Sequence, residues 1–430
     1  MNFIQSLALK YSHRTMMRSL EKNFKVHLHS KEKTPPQKSI MLYAHIPFCH
    51  TFCPYCSFHK YSYDENLAKI YFQSLRKELE IIKAKGFDFH TMVVGGGTTL
   101  INEDELLKTL ELCKKLFSIQ EISCETDPNH IKAEQLRRFK GLIDRLSCGV
   151  QSFDDAILKK VARYEKFGSG KELCEKLEKA IGILPIFSID LIFNFPFQSK
   201  EQLLSDLHTA KKLGASQITT YPLMKSNLTK EAICKALGVS VQDNEFEFYG
   251  IICEFFKDYA RNNAWSFSLQ KDSLNDEYVS SHHEYLGVGS GAFSFLGGEL
   301  LINAFNLKDY TTLIDSKADA TMARASFKRK DILRYIFLTE MFSGELNITK
   351  FNQNLNCELE KNLRFEILAL QMAKAVVKED DTLKCTEFGR YLFVLMMKDF
   401  YTGMDIVRSV FRDDARLKNK DFIDIMKEKI

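Results

Sequence analysis

Residues Met41–Tyr61 read MLYAHIPFCHTFCPYCSFHKY and place Cys49, Cys53 and Cys56 in a C-x3-C-x2-C spacing. Fully extended, a four-residue step would hold two cysteines about 13 Å apart, so only a curled loop brings the three thiolates together. Pro47 and Pro54 favour such a loop, since each lacks a backbone N–H and resists a continuing helix or strand. Thiolates are soft ligands suited to zinc or to iron–sulfur clusters. Three of them leave a four-ligand metal site one short.

The missing ligand separates the readings. A closed zinc site wants four Cys or His ligands, with His50 or His59 available as the fourth. A [4Fe-4S] cube on three cysteines instead keeps one iron open to a small molecule. The bland reading, unconnected core cysteines, sits poorly with three in eight residues beside two prolines.

Outward from this loop, the chain has the composition of an ordinary globular protein. Its 430 residues are 45% hydrophobic and 27% charged, with a formal net charge of +4. That length supports two or three domains, or one large α/β domain with an appendage. The charge is too small to argue for nucleic acid. The 11 cysteines are an odd number, and those outside the loop scatter. No secretory leader pattern opens the chain, and the apolar run Tyr391–Met397 is far too short to span a bilayer. A reducing cytoplasm is expected, where clustered cysteines bind metal rather than pair.

Residues 1 to about 38 are rich in Lys, Arg and His and read as an arm ending in Lys33-Thr34-Pro35-Pro36. From residue 39 strands and helices alternate. The expected strands are 41–46, 91–94, 121–124, 145–150, 187–193 and 217–221. Helices are expected at 64–85, from Asn102 through 116, near 130–140, at 154–164 and 171–182, and from Ser199 to Gly214. Apolar residues at helical spacing mark 64–85, and Asn102 with Glu105 forms a capping-box-like start. Six strands with such crossovers imply a parallel sheet that closes fully or partly into a barrel, with its site at the strands' C-terminal ends. There lie the cysteines, Gly95-Gly96-Gly97, Glu125, Gln151, Asp190 and Tyr221. Scattered surface polars would not recur at six successive strand ends.

An open iron chelates a ligand bearing an amine and a carboxylate, the amino-acid end of S-adenosylmethionine. Iron–sulfur potentials span roughly −700 to +450 mV, and reducing a sulfonium needs the low end. Glycine backbone lets a ligand approach closely. Glu125, Gln151 and Asp190 suit an amine, ribose hydroxyls and adenosine, and Arg163 suits a carboxylate. Competing readings are a plain turn for the glycines, a helix-surface charge for Arg163 and a core position for Tyr43. His282 and His283 are candidate metal ligands, although adjacent histidines in a polar loop are usually solvated.

Taken in order, HIPFCHTFCPYCSF, VVGGGTT, CETDPNHI, LSCGVQSFDD, VARYE, SIDLIFNFPFQS, TTYPLM and YLGVGSGAFSF resemble the radical S-adenosylmethionine proteins of the oxygen-independent coproporphyrinogen III oxidase type over roughly residues 40–300. The resemblance implies a partial (β/α)6 TIM-like barrel over 39–300 and a [4Fe-4S] cluster on Cys49, Cys53 and Cys56. It places S-adenosylmethionine contacts at Tyr43, Tyr55, Gly96, Gly97, Thr98, Glu125, Gln151, Arg163 and Asp190. It further implies a 5′-deoxyadenosyl radical acting on a tetrapyrrole, coproporphyrinogen III or heme, fed by a low-potential donor such as flavodoxin or ferredoxin.

Three departures separate branches of that family. The propionate-decarboxylating oxidase carries a further cysteine two residues after the third, where this chain has Phe58. The proline usual after the glycine-threonine run is Thr99. The heme chaperone branch shows His-Asn-x-x-Tyr-Trp where Ser280–Tyr285 reads SSHHEY. An anaerobic heme-degrading radical methyltransferase branch also lacks the extra cysteine. Past residue 300, helices at 327–342, 348–354 and 358–377 followed by a hairpin at 377–388 resemble the family's mainly helical, winged-helix-like C-terminal domain, expected over 301–430 to cover the cleft. Mixed charge there gives no basic stripe for DNA. Leu395–Arg412 carries no recognisable motif.

Overall fold

The computed structural model describes residues 3–28, 33–36, 40–225, 227–238, 243–270, 283–316, 319–413, 417 and 420–428. The strands in chain order begin with β1 (Lys25–His27), β2 (Ile40–Ile46), the short pair β3 (Phe48–Cys49) and β4 (Tyr61–Ser62), β5 (Phe89–Gly96) and β6 (Glu121–Thr126). They continue with β7 (Arg145–Gln151), β8 (Ile186–Phe193), β9 (Gln217–Pro222), β10 (Ala260–Arg261), β11 (Ser266–Ser268), β12 (Tyr285–Val288) and β13 (Phe293–Leu296). The last are β14 (Glu299–Asn303), β15 (Thr321–Ser326), β16 (Glu345–Asn347), β17 (Val376–Glu379), β18 (Thr382–Cys385) and β19 (Phe422–Asp424).

Fourteen of these form one sheet in the order β10-β11-β9-β8-β7-β6-β5-β2-β12-β13-β14-β15-β1-β19. The six strands expected from sequence are its parallel centre, each one to four residues longer than expected. The extra residues bring Gly95, Gly96, Glu125 and Gln151 into the strands. A seventh parallel strand, β12, joins the free side of β2 with Leu286 opposite Leu42. The sheet stays open, as a partial barrel must. β2 is buried on both faces, the signature of a parallel strand covered by helices.

The helices start where side chains satisfy their first amides. Asp64 accepts from Leu67 N at the head of Glu65–Ala84, and Asn102 from Glu105 N at Glu103–Leu116. Ser169/Glu172 and Ser199/Gln202 form capping boxes for Gly170–Ala180 and Lys200–Lys212. The helix expected at 130–140 shrinks to Ala133–Arg138, and that at 154–164 breaks into Asp155–Lys160 and Tyr164–Phe167.

Beyond β12 the sheet turns antiparallel. β13 and β14 are joined by Gly297-Gly298, both at positive φ, as a two-residue hairpin demands. β14 spans residue 300, so the expected boundary there falls inside a strand, and the sheet runs on through β15. It then takes β1 from the N-terminal arm and β19 from the C-terminal end. The arm's helix, Phe3–Asn23, packs along the 25-residue helix Glu387–Phe411. The helix expected at 358–377 is interrupted, as Leu359–Asn362 and Arg364–Met372. With Arg329–Phe342, Ile348–Leu355 and the antiparallel β16-β18-β17 ribbon they give the winged-helix-like arrangement.

The arm is anchored by a buried charge. Lys33 Nζ donates to Asn303 Oδ1 at 3.0 Å and lies 3.7 Å from Glu78 and 3.4 Å from Asp319. Tyr310 OH donates to Glu78 at 2.7 Å, and Gly289 N donates to the same carboxylate at 2.7 Å. Burial pushes the Glu78 carboxyl up, while Lys33 and Thr321 hold Asp319 well below the usual range against its own burial.

Candidate active site

The cysteine loop leaves the C-terminal end of β2 and is held against the glycine run. Gly97 N donates to Ile46 O at 2.7 Å and Thr98 N to Phe48 O at 2.8 Å. A Cβ on Gly97 would strike the Phe48 carbonyl, and one on Gly96, at φ +116°, would strike the His45 ring. The run is therefore glycine because protein backbone and an imidazole already occupy the space a side chain would need.

The three thiols are unpaired and partly exposed, but unequal. Burial raises Cys49, with the neighbouring Cys56 adding to it. Burial pushes on Cys53 as well, yet the charges of Arg163 and Lys166 outweigh it and bring that thiol down. Arg163 Nη1 sits 3.4 Å from Cys53 Sγ and 3.2 Å from Tyr55 OH, and its other Nη donates to Gly149 O. Arg163 Nε is buried without a hydrogen-bond partner. Ala162 just before it adopts φ +56°, a costly conformation for a residue with a side chain.

Thr98 Oγ1 donates to Asp127 at 2.9 Å and lies 3.8 Å from Cys49 Sγ. Asp127, hydrogen-bonded to His130 at 2.8 Å, is lowered to about 2: burial opposes this, and the bonds and charges of His130, Lys166 and Thr98 overcome it. Glu125 accepts from Gly96 N at 3.3 Å. Gln151 closes β7 at φ +76° and leaves its Oε1 buried without a partner. Tyr43 OH lies 3.0 Å from His45 Nδ1, and His45 Nε2 lies 2.9 Å from His59 O. Burial lowers His45 to about 4, so it is neutral at pH 7, donating from Nε2 and accepting the Tyr43 hydroxyl proton at Nδ1.

The structure thus joins most of the expected residues in contacts. Cys53, Tyr55 and Arg163 form one cluster, Cys49 and Thr98 a second, and Gly96 and Glu125 a third. Asp190 lies deeper, midway along β8, where both carboxylate oxygens accept from Ser147 Oγ at 2.7 Å. Ser147 in turn touches the buried Arg145, whose Nε donates to Gln217 at 2.7 Å. Tyr221 packs on Trp265 with ring centroids 5.2 Å apart. His59, a possible zinc ligand by sequence, faces Ser290 and Phe305 O at 3.1 and 3.0 Å. His50 stacks on His130. Among the described residues no three His, Cys, Asp or Glu side chains approach as ligands of a single ion. A tetrahedral zinc would need sulfurs about 3.8 Å apart; a cube takes one cysteine on each of three irons and tolerates wider spacing. His283 lies 2.9 Å from Glu340, and His282 falls outside the described residues.

Sequence reasoning missed a set of cations around the loop. Lys166 Nζ donates to Thr51 O at 3.1 Å, Lys60 Nζ to Cys56 O at 2.6 Å, and Arg412 Nη2 to Ser57 O at 2.7 Å. Arg408 lies over the ring of Phe58 at 5.2 Å. Arg408 and Arg412 sit one turn apart near the end of Glu387–Phe411, in the very stretch without a motif. Their four-residue spacing puts both on one helix face, but nothing in the sequence says which face meets the cysteines.

A family model described as the radical SAM superfamily matches residues 43–210. The heme chaperone HemW of Bacillus subtilis is 30% identical over 294 residues, covering 64% of this chain and 76% of that protein. The chain belongs to the radical SAM superfamily, in its coproporphyrinogen III oxidase and HemW group. The oxygen-independent coproporphyrinogen III oxidase of Helicobacter pylori is 26% identical over 375 residues, 80% of each chain. The solved structure of the Escherichia coli coproporphyrinogen III oxidase HemN superposes with a TM-score of 0.72 at 22% identity, covering 87% of this chain and 95% of that one. It shares the fold. Members of the superfamily use a [4Fe-4S] cluster and S-adenosylmethionine, and the site suits both, with three unpaired thiols beside cations and a buried, unpartnered Gln151 amide oxygen at the strand ends. No helix among the described residues is long and apolar enough to cross a membrane.

Proposed function

We propose that Cys49, Cys53 and Cys56 hold the cluster, that the strand ends bind S-adenosylmethionine, and that the protein performs radical chemistry of the coproporphyrinogen III oxidase type on a tetrapyrrole. The observation that carries this reading is the Cys53–Arg163–Tyr55 contact beside the orphaned Gln151 oxygen: a thiolate stabilised by a cation, next to an acceptor awaiting a donor. When bound, the cluster and the nucleotide supply one-electron cleavage of the sulfonium. This chain's own residues do the rest. Neutral His45 fixes the Tyr43 hydroxyl so that its oxygen presents lone pairs. Glu125 accepts positive charge, and Gln151 accepts a hydroxyl. Arg163 balances sulfur charge, and its free Nε–H remains for a carboxylate. The electron comes from a low-potential protein of the flavodoxin or ferredoxin class in a reducing, cytoplasmic setting, in keeping with eleven unpaired cysteines.

A second reading, heme binding and transfer, is favoured by Phe58, which stands where the decarboxylating oxidase has its extra cysteine. Anaerobic incubation with S-adenosylmethionine, a strong reductant and either coproporphyrinogen III or heme tests the two. Deoxyadenosine formed with loss of CO2 from coproporphyrinogen supports the oxidase, and methyl gain by heme the ring-opening branch. Stoichiometric heme retention without any product supports transfer, and a chain that neither converts nor retains either compound sinks the tetrapyrrole reading.

A further inference from the structure

Behind Cys56 and Ser57 lies a cavity of about 210 Å³ lined by His59, Lys60, Tyr61, Phe305, Asn306 and Arg412. Two of its walls are cations, and among the described residues neither has a carboxylate partner. Lys60 spends one donor on Cys56 O and Arg412 one on Ser57 O, whereas a guanidinium carries five N–H groups and an ammonium three. By contrast Arg408, one turn away, pairs with Asp405 at 2.5 Å, and the buried Lys33 lies between Glu78 and Asp319. Burial and then the charge of Arg408 lower Arg412, against the opposing charges of Cys56 and Asp405. The floor offers no competing anion, since Tyr61 OH donates to Phe305 O and the His59 ring is bonded to the same carbonyl.

We infer that this cavity is a carboxylate-binding site. The inference rests on the tetrapyrrole reading, which supplies the carboxylate as a propionate arm of the macrocycle. Size decides between an arm and a whole ring. At about 30 Å³ per water the cavity holds roughly seven waters, less than the roughly 300–1,000 Å³ that encloses a drug-sized ligand. A propionate seated there is held by a forked guanidinium and an ammonium, with the ring it belongs to outside the cavity. Arg412 therefore makes the long C-terminal helix part of substrate recognition.

The test is a binding titration of the purified full chain with coproporphyrin III and with its tetramethyl ester, which keeps the ring and removes the charges. Wild type is expected to bind the free acid more tightly. Arg412→Ala should weaken the acid about tenfold, the weight of one charge-assisted contact, and leave the ester unchanged, with Arg412→Lys intermediate. If Arg412→Ala does not fold, Lys60→Met carries the same comparison. Equal weakening of acid and ester, or none of either, overturns the site while the tetrapyrrole reading stands. So does Arg412-dependent, salt-sensitive binding of an acidic flavodoxin with unchanged porphyrin affinity. Failure of wild type to bind either porphyrin takes down the functional reading and this site together.

Discussion

Two regions of this protein bury charge, and they do so differently. Around Lys33 each charged group meets its complement: Glu78 and Asp319 flank the ammonium, and Tyr310, Asn303 and Gly289 fill the remaining positions. At the mouth of the sheet the matching is left incomplete, with Gln151 Oε1 and Arg163 Nε unpartnered and Gln151 and Ala162 at positive φ. A buried polar atom without a partner costs about 1–3 kcal/mol, and so does an unfavourable φ. The closed network builds the molecule; under the proposed function, S-adenosylmethionine completes the open one.

The largest expected effect cleanly separates the two. Cys53→Ala should abolish the [4Fe-4S] signal after anaerobic reconstitution, read by EPR and iron content, while leaving the melting temperature of the unloaded chain within a few degrees. An intact cluster in that variant would remove the sulfur side of the comparison. Next comes Lys33→Ala, which strands two buried carboxylates and should cost about 3–5 kcal/mol of stability, measured by denaturant unfolding. A cost below about 1 kcal/mol, the level of a surface pair, would show that the network is not what anchors the arm.

Asp206 sharpens the comparison from a third position. It accepts from Ser152 Oγ at 2.8 Å and Phe153 N at 2.7 Å, propping the turn just after Gln151, and burial raises it from 3.8 to about 7. Between those values the folded chain holds a proton that the unfolded chain has released, so stability falls as pH rises from about 4 to 7. Asp206→Asn should remove most of that slope, on the order of 2–4 kcal/mol between pH 4.5 and 7.5, in parallel melts of the two proteins. An unchanged slope would assign it to other carboxyls. The smallest effect is Gln151→Gly: relief of the positive φ should stabilise by about 1 kcal/mol while S-adenosylmethionine affinity, followed by equilibrium dialysis, falls. Stabilisation with undiminished affinity would make Gln151 a strained bystander.

Much of this was legible from residues alone, and the reason is periodicity. The parallel strands are short, largely buried apolar runs, so β2 and β5–β9 announced themselves and carried Glu125 and Gln151 near their ends, whereas Asp190, expected at a strand end, fell midway along β8. The antiparallel extension was harder to see. β12–β15 are four to six residues long and interrupted by glycines, although Gly297-Gly298 between apolar runs was a readable hairpin signal. Least legible was Glu387–Phe411. Its register depends on the arm helix, where a Cβ on Gly403 would strike Leu20, and such a tertiary fit leaves no local pattern. Lys33 was hidden for the same reason, because its partners Glu78, Asn303 and Asp319 lie 45 to 286 positions away.

The pairing of Lys25 with Asp424 has a consequence in time. The β19 partner of β1 lies about 400 residues further along the chain, so β1 keeps one unsatisfied edge until that stretch has been translated. Arg412, which latches onto Ser57, also emerges late. Until that residue has been translated, the cysteine loop rests on the glycine run and Lys166 without it.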